Sequence, residues 1–440
     1  MTINMKGHYL QNSTSSNQEN KLIFYYHVIL AVTFVLTFFT NFDVYFSHAI
    51  GTPQPKVWVG FFGVASIPLL FSLSSRLKYI SKTLLFWIYV YIFISVYSYI
   101  FYSHYQPIES EEELRTRILS IIFLFISSLI FSSYQVQKIV KYEILLITLV
   151  NVIANICSLL YPESFVTVFD HQSVLETNRA AGFYIDSNRA TCVLILGMIF
   201  TIDIVPVKFR LPFIILLFIG AFVTFSRSGF ICFFLVTAIF IYWRKILLNN
   251  KNISWLILAC LLIWMFFNSI VLNSSGINVQ ENLLDNPNFE RITQINPMVG
   301  KSEIDDVSSS RLPIAEKTWQ EFLESPFWGR GIGYGLKLES NVIGKRSHNM
   351  YLSFMLEHGF LGSLVLPLLV FCCVCNSAES NFAISFAFVI LILVWSFFSH
   401  NVLEHREFLM SFSLMSSISL TAEMPVRSKV ISKKNFQNSL

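Results

Sequence analysis

The sequence predicts an all-α, polytopic membrane protein with about twelve transmembrane helices and one long, partly helical periplasmic loop. Hydrophobic residues make up 54% of the chain and charged residues only 13%, and the mean hydropathy is +0.59. So few charges do not cover the surface of a soluble protein of 440 residues. Apolar runs close to the roughly twenty residues that cross a bilayer recur along the chain. The predicted spans are residues 22–40, 57–73, 80–102, 118–133, 143–161, 190–206, 211–225, 229–243, 253–272, 351–373, 382–398 and 408–421.

Lysine and arginine residues orient these spans, because cytoplasmic loops are enriched in them. With the N-terminus in the cytoplasm, the basic residues fall in the cytoplasmic connections and in the C-terminal tail. They are Arg76, Lys78, Lys82, Lys138, Lys141, Lys208, Arg210, Arg244, Lys245, Lys251, Arg427, Lys429, Lys433 and Lys434. The acidic run Glu109, Glu111, Glu112 and Glu113 falls on the opposite side. This pattern predicts two cytoplasmic termini, and a net charge of +4 is too small to indicate a nucleic-acid partner.

The topology divides the chain into five segments. Residues 1–21 form a cytoplasmic tail, 22–161 the N-terminal transmembrane helices, 162–380 a core, 381–421 the C-terminal transmembrane helices and 422–440 a second cytoplasmic tail. The core contains the long loop, residues 273–347. Within this loop residues 311–324 are predicted to be helical, since Ile314, Trp319 and Phe322 would share an apolar face. A glycine-rich turn follows at residues 329–335.

The apolar stretch 211–243 is interrupted by Ser226-Arg227-Ser228-Gly229. A single helix over this stretch would be about 50 Å long at 1.5 Å per residue, whereas the hydrocarbon core is roughly 30 Å thick. Two short helices that meet at the outer surface are therefore predicted. Arg227 would lie at or just below that surface, where it needs a partner or reaches the lipid headgroups.

Cationic side chains accumulate on the predicted outer face, which usually avoids them. They are Arg179, Arg189, Arg227, Arg311, Arg330, Lys345, Arg346 and His348. The planar guanidinium group binds phosphate through paired hydrogen bonds. This accumulation indicates an anionic ligand, and a diphosphate at the membrane surface would need several such partners.

The most specific pattern begins where the long loop re-enters the membrane. His348-Asn349 is followed by nine residues and then by Gly359-x-x-Gly362. His348 and Asn349 would cap or begin the returning helix, and Glu357 lies about two and a half turns further on. The two glycines would allow a neighbouring helix to approach closely.

Four segments of the sequence resemble the O-antigen ligase and O-antigen polymerase superfamily, whose members share an O-antigen ligase-related domain. They are residues 179–188, 226–229, the stretch from Arg311 through Trp319 to Gly333, and residues 348–362. The resemblance covers residues 175–365, whereas the first 160 residues match only as apolar spans. Ser187 departs from the family, which often has proline before the asparagine. The resemblance implies that 162–380 is an O-antigen ligase-related core in a bacterial inner membrane, with its active site on the periplasmic face.

The resemblance also implies a reaction, the transfer of a glycan from undecaprenyl diphosphate to a sugar hydroxyl with inversion at the anomeric carbon. Fixed arginines stabilise a diphosphate leaving group without a metal, and histidine titrates in the range that suits a base. The predicted catalytic residues are His348, as base or acceptor-orienting group, and Arg227 and Arg311, which hold the diphosphate. The predicted substrate-binding residues are Arg179, Asn188, Arg189, Arg330, Arg346 and Asn349. No metal and no cofactor are predicted.

Two further questions stay open in the sequence. A ligase would use a lipid A-core acceptor and a polymerase a growing glycan, and the motifs do not separate them. The alternative function is a multi-pass transporter of an anion or a glycan-lipid. A transporter is expected to carry charged residues deep in several spans, whereas the predicted spans here are nearly free of charge.

Several polar residues are interpreted as structural. They are His358, His400, Asn401 and His405, although His400-Asn401 repeats the His-Asn pair of the motif. The seven cysteines lie in apolar runs or at their edges. The Cys372-Cys373-x-Cys375 cluster lacks zinc spacing and is interpreted as buried thiols.

Overall fold

The computed structural model describes residues 6–71, 80–102, 106–161, 164–165, 180–247, 311–339 and 347–421. Within these ranges every regular element is helical, which confirms the all-α prediction. The α-helices are α1 (Lys6–Phe39), α2 (Phe42–Ile50), α3 (Pro55–Ala65), α4 (Ile67–Phe71), α5 (Lys82–Tyr102), α6 (Pro107–Ile130), α7 (Tyr134–Leu160), α8 (Ser187–Thr201), α9 (Arg210–Phe222), α10 (Arg227–Tyr242), α11 (Arg311–Leu323), α12 (Tyr334–Leu338), α13 (Met350–His358), α14 (Val365–Val374), α15 (Phe382–Trp395) and α16 (Arg406–Thr421). Short 3-10 helices lie at Gly182–Tyr184, Val207–Phe209, Phe360–Leu364 and Glu379–Asn381.

Three of these helices have the length and apolar composition needed to cross a membrane. They are Lys21–Phe39 within α1, all of α5 and all of α7. Shorter apolar helices follow at Pro55–Phe71, Ser187–Thr201, Arg227–Tyr242, Phe360–Val374 and Glu379–Trp395. The chain is therefore a membrane protein, while the count of twelve spans and the sidedness of its loops stay predictions. The predicted span 253–272, most of the long loop and the tail 422–440 lie outside the described residues.

The first helix starts earlier than the sequence predicts. α1 begins at Lys6, inside the segment predicted to be a tail, and continues without a break to Phe39. A single helix therefore carries both the polar N-terminal residues and the first apolar span.

The predicted break at Arg227 is confirmed. α9 ends at Phe222 and α10 begins at Arg227. Between them Phe225 has a positive φ of 50°, and Ser226 is extended. The Ser226 hydroxyl accepts a hydrogen bond from the Gly229 amide at 3.1 Å, which satisfies one of the unpaired amides at the start of α10.

The single span predicted over residues 351–373 is wrong. α13 ends at His358, a 3-10 turn occupies Phe360–Leu364, and only then does α14 begin. The chain turns at Gly359, whose φ of 72° and ψ of −170° suit only glycine. A side chain at Gly359 would overlap the backbone of Phe327, so the neighbour that this glycine admits is a loop rather than a transmembrane helix.

One buried apolar cluster joins the helices and fixes their ends. The Trp87 indole of α5 donates to the Val365 carbonyl at 2.8 Å, and the Thr83 hydroxyl donates to the Cys372 carbonyl at 2.7 Å, which holds α14 against α5. α16 packs on α6, where the hydroxyls of Ser127 and Ser413 lie 2.7 Å apart. This last contact joins the last turn of α6 to the middle of α16.

The buried-thiol interpretation of the cysteine cluster holds for Cys372 and Cys373. Cys192, Cys232, Cys372 and Cys373 are buried, and Cys157 is half-buried. Cys375 is exposed, which contradicts the expectation for that residue. Cys260 lies outside the described residues.

Candidate active site

The two His-Asn pairs of the sequence meet in the structure. The ring centroids of His348 and His400 lie 5.3 Å apart. His348 lies just before α13, and His400 lies in the turn between α15 and α16. The Met350 amide donates to the Ser396 carbonyl at 2.9 Å and so fixes the start of α13 to the end of α15. The structural interpretation of His400 missed this contact, and the repeated His-Asn pair was the available signal.

Asn349 is the N-cap of α13. Its side-chain oxygen accepts a hydrogen bond from the Leu352 amide at 3.1 Å, and its backbone is extended. Asn349 was predicted to bind substrate, but in the structure its oxygen stabilises the helix that follows His348. The cap fixes the backbone direction at His348. In the motif, the proposed base His348 is therefore followed directly by Asn349, the residue that orients it.

A pocket opens beside His400. Its outer part, of about 240 Å³, is lined by Glu112, Glu113, Thr116, Leu336, Glu339, His400, Asn401 and Glu404. An inner part of about 40 Å³ extends toward α13 and is lined in addition by Arg117, Ser347 and Glu357. At roughly 10–15 Å³ for each water position, the inner part has room for a few waters or for one hydroxyl group of a ligand.

Arg117 holds the wall of this pocket together. Its Nε lies 3.1 Å from Glu113 Oε1, its Nη2 forms an ion pair with Glu357, and its Nη1 lies 2.6 Å from His358 Nε2. The guanidinium is 4% exposed and lies over the ring of Phe354 at 5.2 Å. A buried charge of this kind persists only when it is paired, so Arg117 is part of the scaffold of the pocket. His358 contacts it there, in keeping with the structural interpretation of that residue.

The glycine-rich turn packs on the far end of α13. The Gly331 amide donates to the Glu357 carbonyl at 3.0 Å, and the Gly333 amide donates to Glu357 Oε1 at 3.2 Å. A side chain at Gly333 would overlap the backbone of Glu109 at the start of α6. Glu357 therefore binds both the turn and Arg117, which explains the position of this carboxylate in the motif.

Arg330 was predicted to bind substrate but is engaged within the loop. Its guanidinium forms ion pairs with Glu324 and, at 3.4 Å, with Glu321, and it lies over the ring of Tyr334 at 5.5 Å. Burial acts to raise the pKa of the Glu321 carboxyl, but hydrogen bonds from Tyr334 and Lys317 outweigh it and lower this pKa. Glu321 thus stays charged and holds Arg330 on α11.

A second charged cluster, which we call the junction, lies where α1 ends and α8 and α16 begin. It comprises Asn41, Asp43, Arg189, Arg406 and Glu407. Arg189 donates from Nε and Nη2 to the two carboxylate oxygens of Glu407 at 2.8 and 3.0 Å, and from Nη2 to Asn41 Oδ1 at 3.0 Å. Arg189 was predicted to bind substrate, which stays a prediction, and in the structure its guanidinium pairs with the buried Glu407. The sequence contains no signal for this ion pair, because 218 residues separate Arg189 from Glu407.

Asp43 and Arg406 complete the junction. Arg406 Nη1 lies 3.0 Å from Asp43 Oδ2, an ion pair without the angle of a hydrogen bond. Burial raises the pKa of the Asp43 carboxyl to about 6, against the opposing charge of Arg406. Burial, together with the charges of Arg189 and Arg406, holds the pKa of His405 well below its usual value. His405 is therefore a neutral imidazole packed beside two arginines.

Arg227 lies next to the junction. It is exposed and is the first residue of α10, after the Ser226 cap. The Ser226 hydroxyl also donates to Asn188 Oδ1 at 2.8 Å, and Asn188 precedes Arg189. Asn188, a predicted substrate-binding residue, thus ties the start of α10 to the start of α8. A helix N-terminus that begins with an arginine suits an anion.

The other predicted cations are only partly described. Arg311 is the first residue of α11, and its backbone alone is described. α11 packs on α13, with Phe322 and Leu356 in one apolar cluster and Thr318 lining the inner pocket. Arg179 and Arg346 lie outside the described residues. Across the described ranges no three His, Cys, Asp or Glu side chains are grouped so as to hold a metal ion.

These contacts link Arg227 to His348 through one continuous end of the bundle. Ser226, the neighbour of Arg227, contacts Asn188. Arg189, the next residue, pairs with Glu407 at the start of α16. The turn before α16 carries His400, which contacts His348. Two of the three predicted catalytic residues, Arg227 and His348, therefore lie at or just before helix starts that are connected indirectly, through α8, α16 and the turn that precedes α16.

Comparison with models of known protein families supports the family resemblance seen in the sequence. Residues 212–367 match the family model described as O-Antigen ligase, which confirms the predicted resemblance. No curated protein matches the chain. The matched segment contains Arg227, Arg311 and His348 but not the junction, His400 or Glu404.

Proposed function

We propose that this chain, which carries an O-antigen ligase domain, is a membrane glycosyltransferase that uses undecaprenyl diphosphate as the carrier of its donor glycan. It would act on the periplasmic face of the bacterial inner membrane. The observation that carries the proposal is the contact between His348 and His400 at the end of the bundle where α10 begins with Arg227. This transfer requires a base and a phosphate-binding cation, and we assign these roles to His348 and Arg227.

The proposed chemistry is a single displacement. The acceptor hydroxyl attacks the anomeric carbon of the donor glycan and loses its proton to His348. The bond between the anomeric carbon and the diphosphate oxygen breaks, and the electron pair stays on the diphosphate. Arg227 and Arg311 stabilise the charge that develops there. One displacement inverts the anomeric configuration.

The transporter alternative has less support. The buried charged residues of the junction lie in the first turns of helices or just outside them, Glu357 lies in the last turn of α13, and Glu113 and Arg117 lie within the first three turns of α6. Glu143, half-buried within α7, is an exception. A substrate path through the membrane would need polar groups at several depths, whereas this distribution favours chemistry at a surface.

Replacement of His348 tests the proposal. His348→Ala is expected to lower glycan transfer by about 100-fold or more, the usual contribution of a general base, with the protein still present in the membrane. His48→Ala is the matched control, because His48 is an exposed histidine on α2 that belongs neither to the junction nor to the pocket lining. Transfer at the wild-type rate in His348→Ala would show that His348 is not the base. A strict requirement for a metal in chelator-treated membranes would overturn the metal-free mechanism.

The acceptor class is tested in a deletion strain. If finished polymer accumulates on its lipid carrier, the protein is a ligase that acts on lipid A-core. If single repeat units appear at the surface instead, the protein is a polymerase.

A further inference from the structure

Five large apolar side chains are exposed where the loop after α11 meets the 3-10 turn before α14. We call them the apolar tip, and they are Phe327, Trp328, Phe360, Leu361 and Leu364. Each is between 52% and 80% exposed. The Phe360 amide donates to the Pro326 carbonyl at 2.8 Å, which joins the two segments. An exposed apolar group of this size usually marks a surface that contacts another apolar surface.

The segment 325–329, which carries the two aromatic residues of the loop, closes on itself. The Gly329 amide donates to the Ser325 carbonyl at 2.9 Å, and the Ser325 hydroxyl donates to the Gly329 carbonyl at 2.8 Å. The segment contains no charged residue, and the charged residues on either side, Glu324 and Arg330, form an ion pair with each other. A segment that enters lipid must satisfy backbone polar groups within the protein and keep its charges paired or outside. These contacts are of that kind.

The residues that follow place the tip at the end of a membrane span. The Ile332 amide donates to the Ser98 hydroxyl at 2.8 Å, and a side chain at Gly331 would overlap that of Tyr102. Both partners lie in the last two turns of α5, which is long and apolar enough to cross a membrane. The other half of the tip leads into the apolar stretch Phe360–Val374, which contains no charged residue. The tip therefore lies at the level where the apolar core of the bilayer meets the headgroups.

We propose that the apolar tip inserts into the boundary between the headgroups and the acyl chains of the adjacent leaflet. Tryptophan and other aromatic side chains favour this boundary, because they combine large apolar rings with, in tryptophan, a polar N–H group. The contact is apolar, since none of the five side chains is charged, so it needs no anionic lipid. Insertion holds α11 and its first residue, Arg311, at the membrane surface. The segment predicted from the sequence to be a periplasmic loop is then partly a membrane-bound one.

Quenching of Trp328 fluorescence tests the insertion. The full chain is reconstituted in phosphatidylcholine nanodiscs, with or without bromine atoms on the acyl chains close to the headgroup. The emission of Trp328 is the difference between wild type and Trp328→Phe. We expect brominated lipid to remove most of this emission and iodide in the water to leave most of it. Trp395→Phe is the control, because Trp395 is 2% exposed and its difference emission should escape both quenchers.

A charge on the tip tests the same contact by another route. Phe327→Asp places a carboxylate where lipid excludes charge, so quenching of Trp328 by brominated lipid should fall and quenching by iodide should rise. The Trp328 emission of this variant is measured against the same variant with Trp328→Phe. Gln320→Asp is the control, because it adds the same charge at an exposed polar position of α11, and it should change neither signal.

Two results overturn the insertion. If iodide quenches Trp328 and brominated lipid does not, the tip faces water. If neither quencher acts, protein covers the tip, either a second copy of this chain or another of its segments. These signals do not require glycan transfer, so loss of transfer in His348→Ala leaves the insertion standing, and unquenched Trp328 leaves the proposed function standing.

Discussion

Arg189 and Glu407 form a two-point ion pair that joins the start of α8 to the start of α16, with nitrogen–oxygen distances of 2.8 and 3.0 Å. The Glu407 side chain is 1% exposed and that of Arg189 14%. α16 follows directly on the turn that carries His400. The pair therefore fixes the position of this turn relative to α8, the helix whose Asn188 contacts Ser226 beside Arg227.

Removal of one charge from this pair should destabilise the protein strongly. Glu407→Gln leaves the Arg189 guanidinium buried without a counter-charge, which typically costs about 3–5 kcal/mol. Unfolding midpoints in detergent would measure the loss. Glu111→Gln breaks an exposed pair with Arg115 and should cost under about 1 kcal/mol. Equal midpoints for Glu407→Gln and wild type would show that the pair contributes nothing.

Arg227→Lys should impair transfer although it keeps the charge. Lysine cannot make the two parallel hydrogen bonds with which arginine binds phosphate, so we expect at least about a tenfold loss at an unchanged protein level. Arg244→Lys, just beyond the other end of α10, is the control, because Arg244 is exposed and the full length of α10 separates it from Arg227. Full activity of Arg227→Lys would mean that this side chain only reaches toward lipid headgroups.

His400→Asn should lower transfer less than His348→Ala does. The His400 ring packs against His348, so its removal loosens the proposed base without deleting it. We expect kcat to fall about tenfold while the KM for the lipid-linked donor stays constant, a split that general misfolding would not produce. Transfer at the wild-type rate would return His400 to the structural role that the sequence suggests.

The sequence predicts what depends on local pattern. The apolar runs predict the helices, and Ser226-Arg227-Ser228-Gly229 predicts the break that separates α9 from α10. It does not predict contacts between distant segments. The pairing of Arg189 with Glu407 and the contact of His400 with His348 each join residues that lie far apart in the sequence, so no local pattern specifies either of them.

Asp43 should make stability depend on pH. Burial raises the pKa of its carboxyl from 3.8 to about 6, so the folded protein binds this proton more tightly than the unfolded chain does. The contribution of Asp43 to the free energy of unfolding therefore falls as the pH rises from about 4 to about 6, and is constant above that range. Unfolding midpoints of wild type and Asp43→Asn across pH 4–8 isolate the effect. A constant difference between the two curves would contradict the assignment.

Gly359→Ala should destabilise the turn between α13 and α14 and so disturb the site. Gly359 has a φ of 72°, which is strained for alanine, and a methyl group there would overlap the Phe327 backbone, which cannot move aside as a side chain does. The strain alone costs about 1–3 kcal/mol. Because this turn directs α13 away from α14, transfer should fall together with the melting temperature.

The control for this variant is Gly60→Ala in α3. Its added methyl group meets no atom within 4 Å and its backbone is helical, so the melting temperature should stay the same or rise. A Gly359→Ala protein that melts and transfers like Gly60→Ala would mean that the chain can run from α13 to α14 without the turn. The sharp bend at the end of the histidine motif would then be dispensable, and the placement of His348 would have to depend on the Asn349 cap and the Ser396 contact alone.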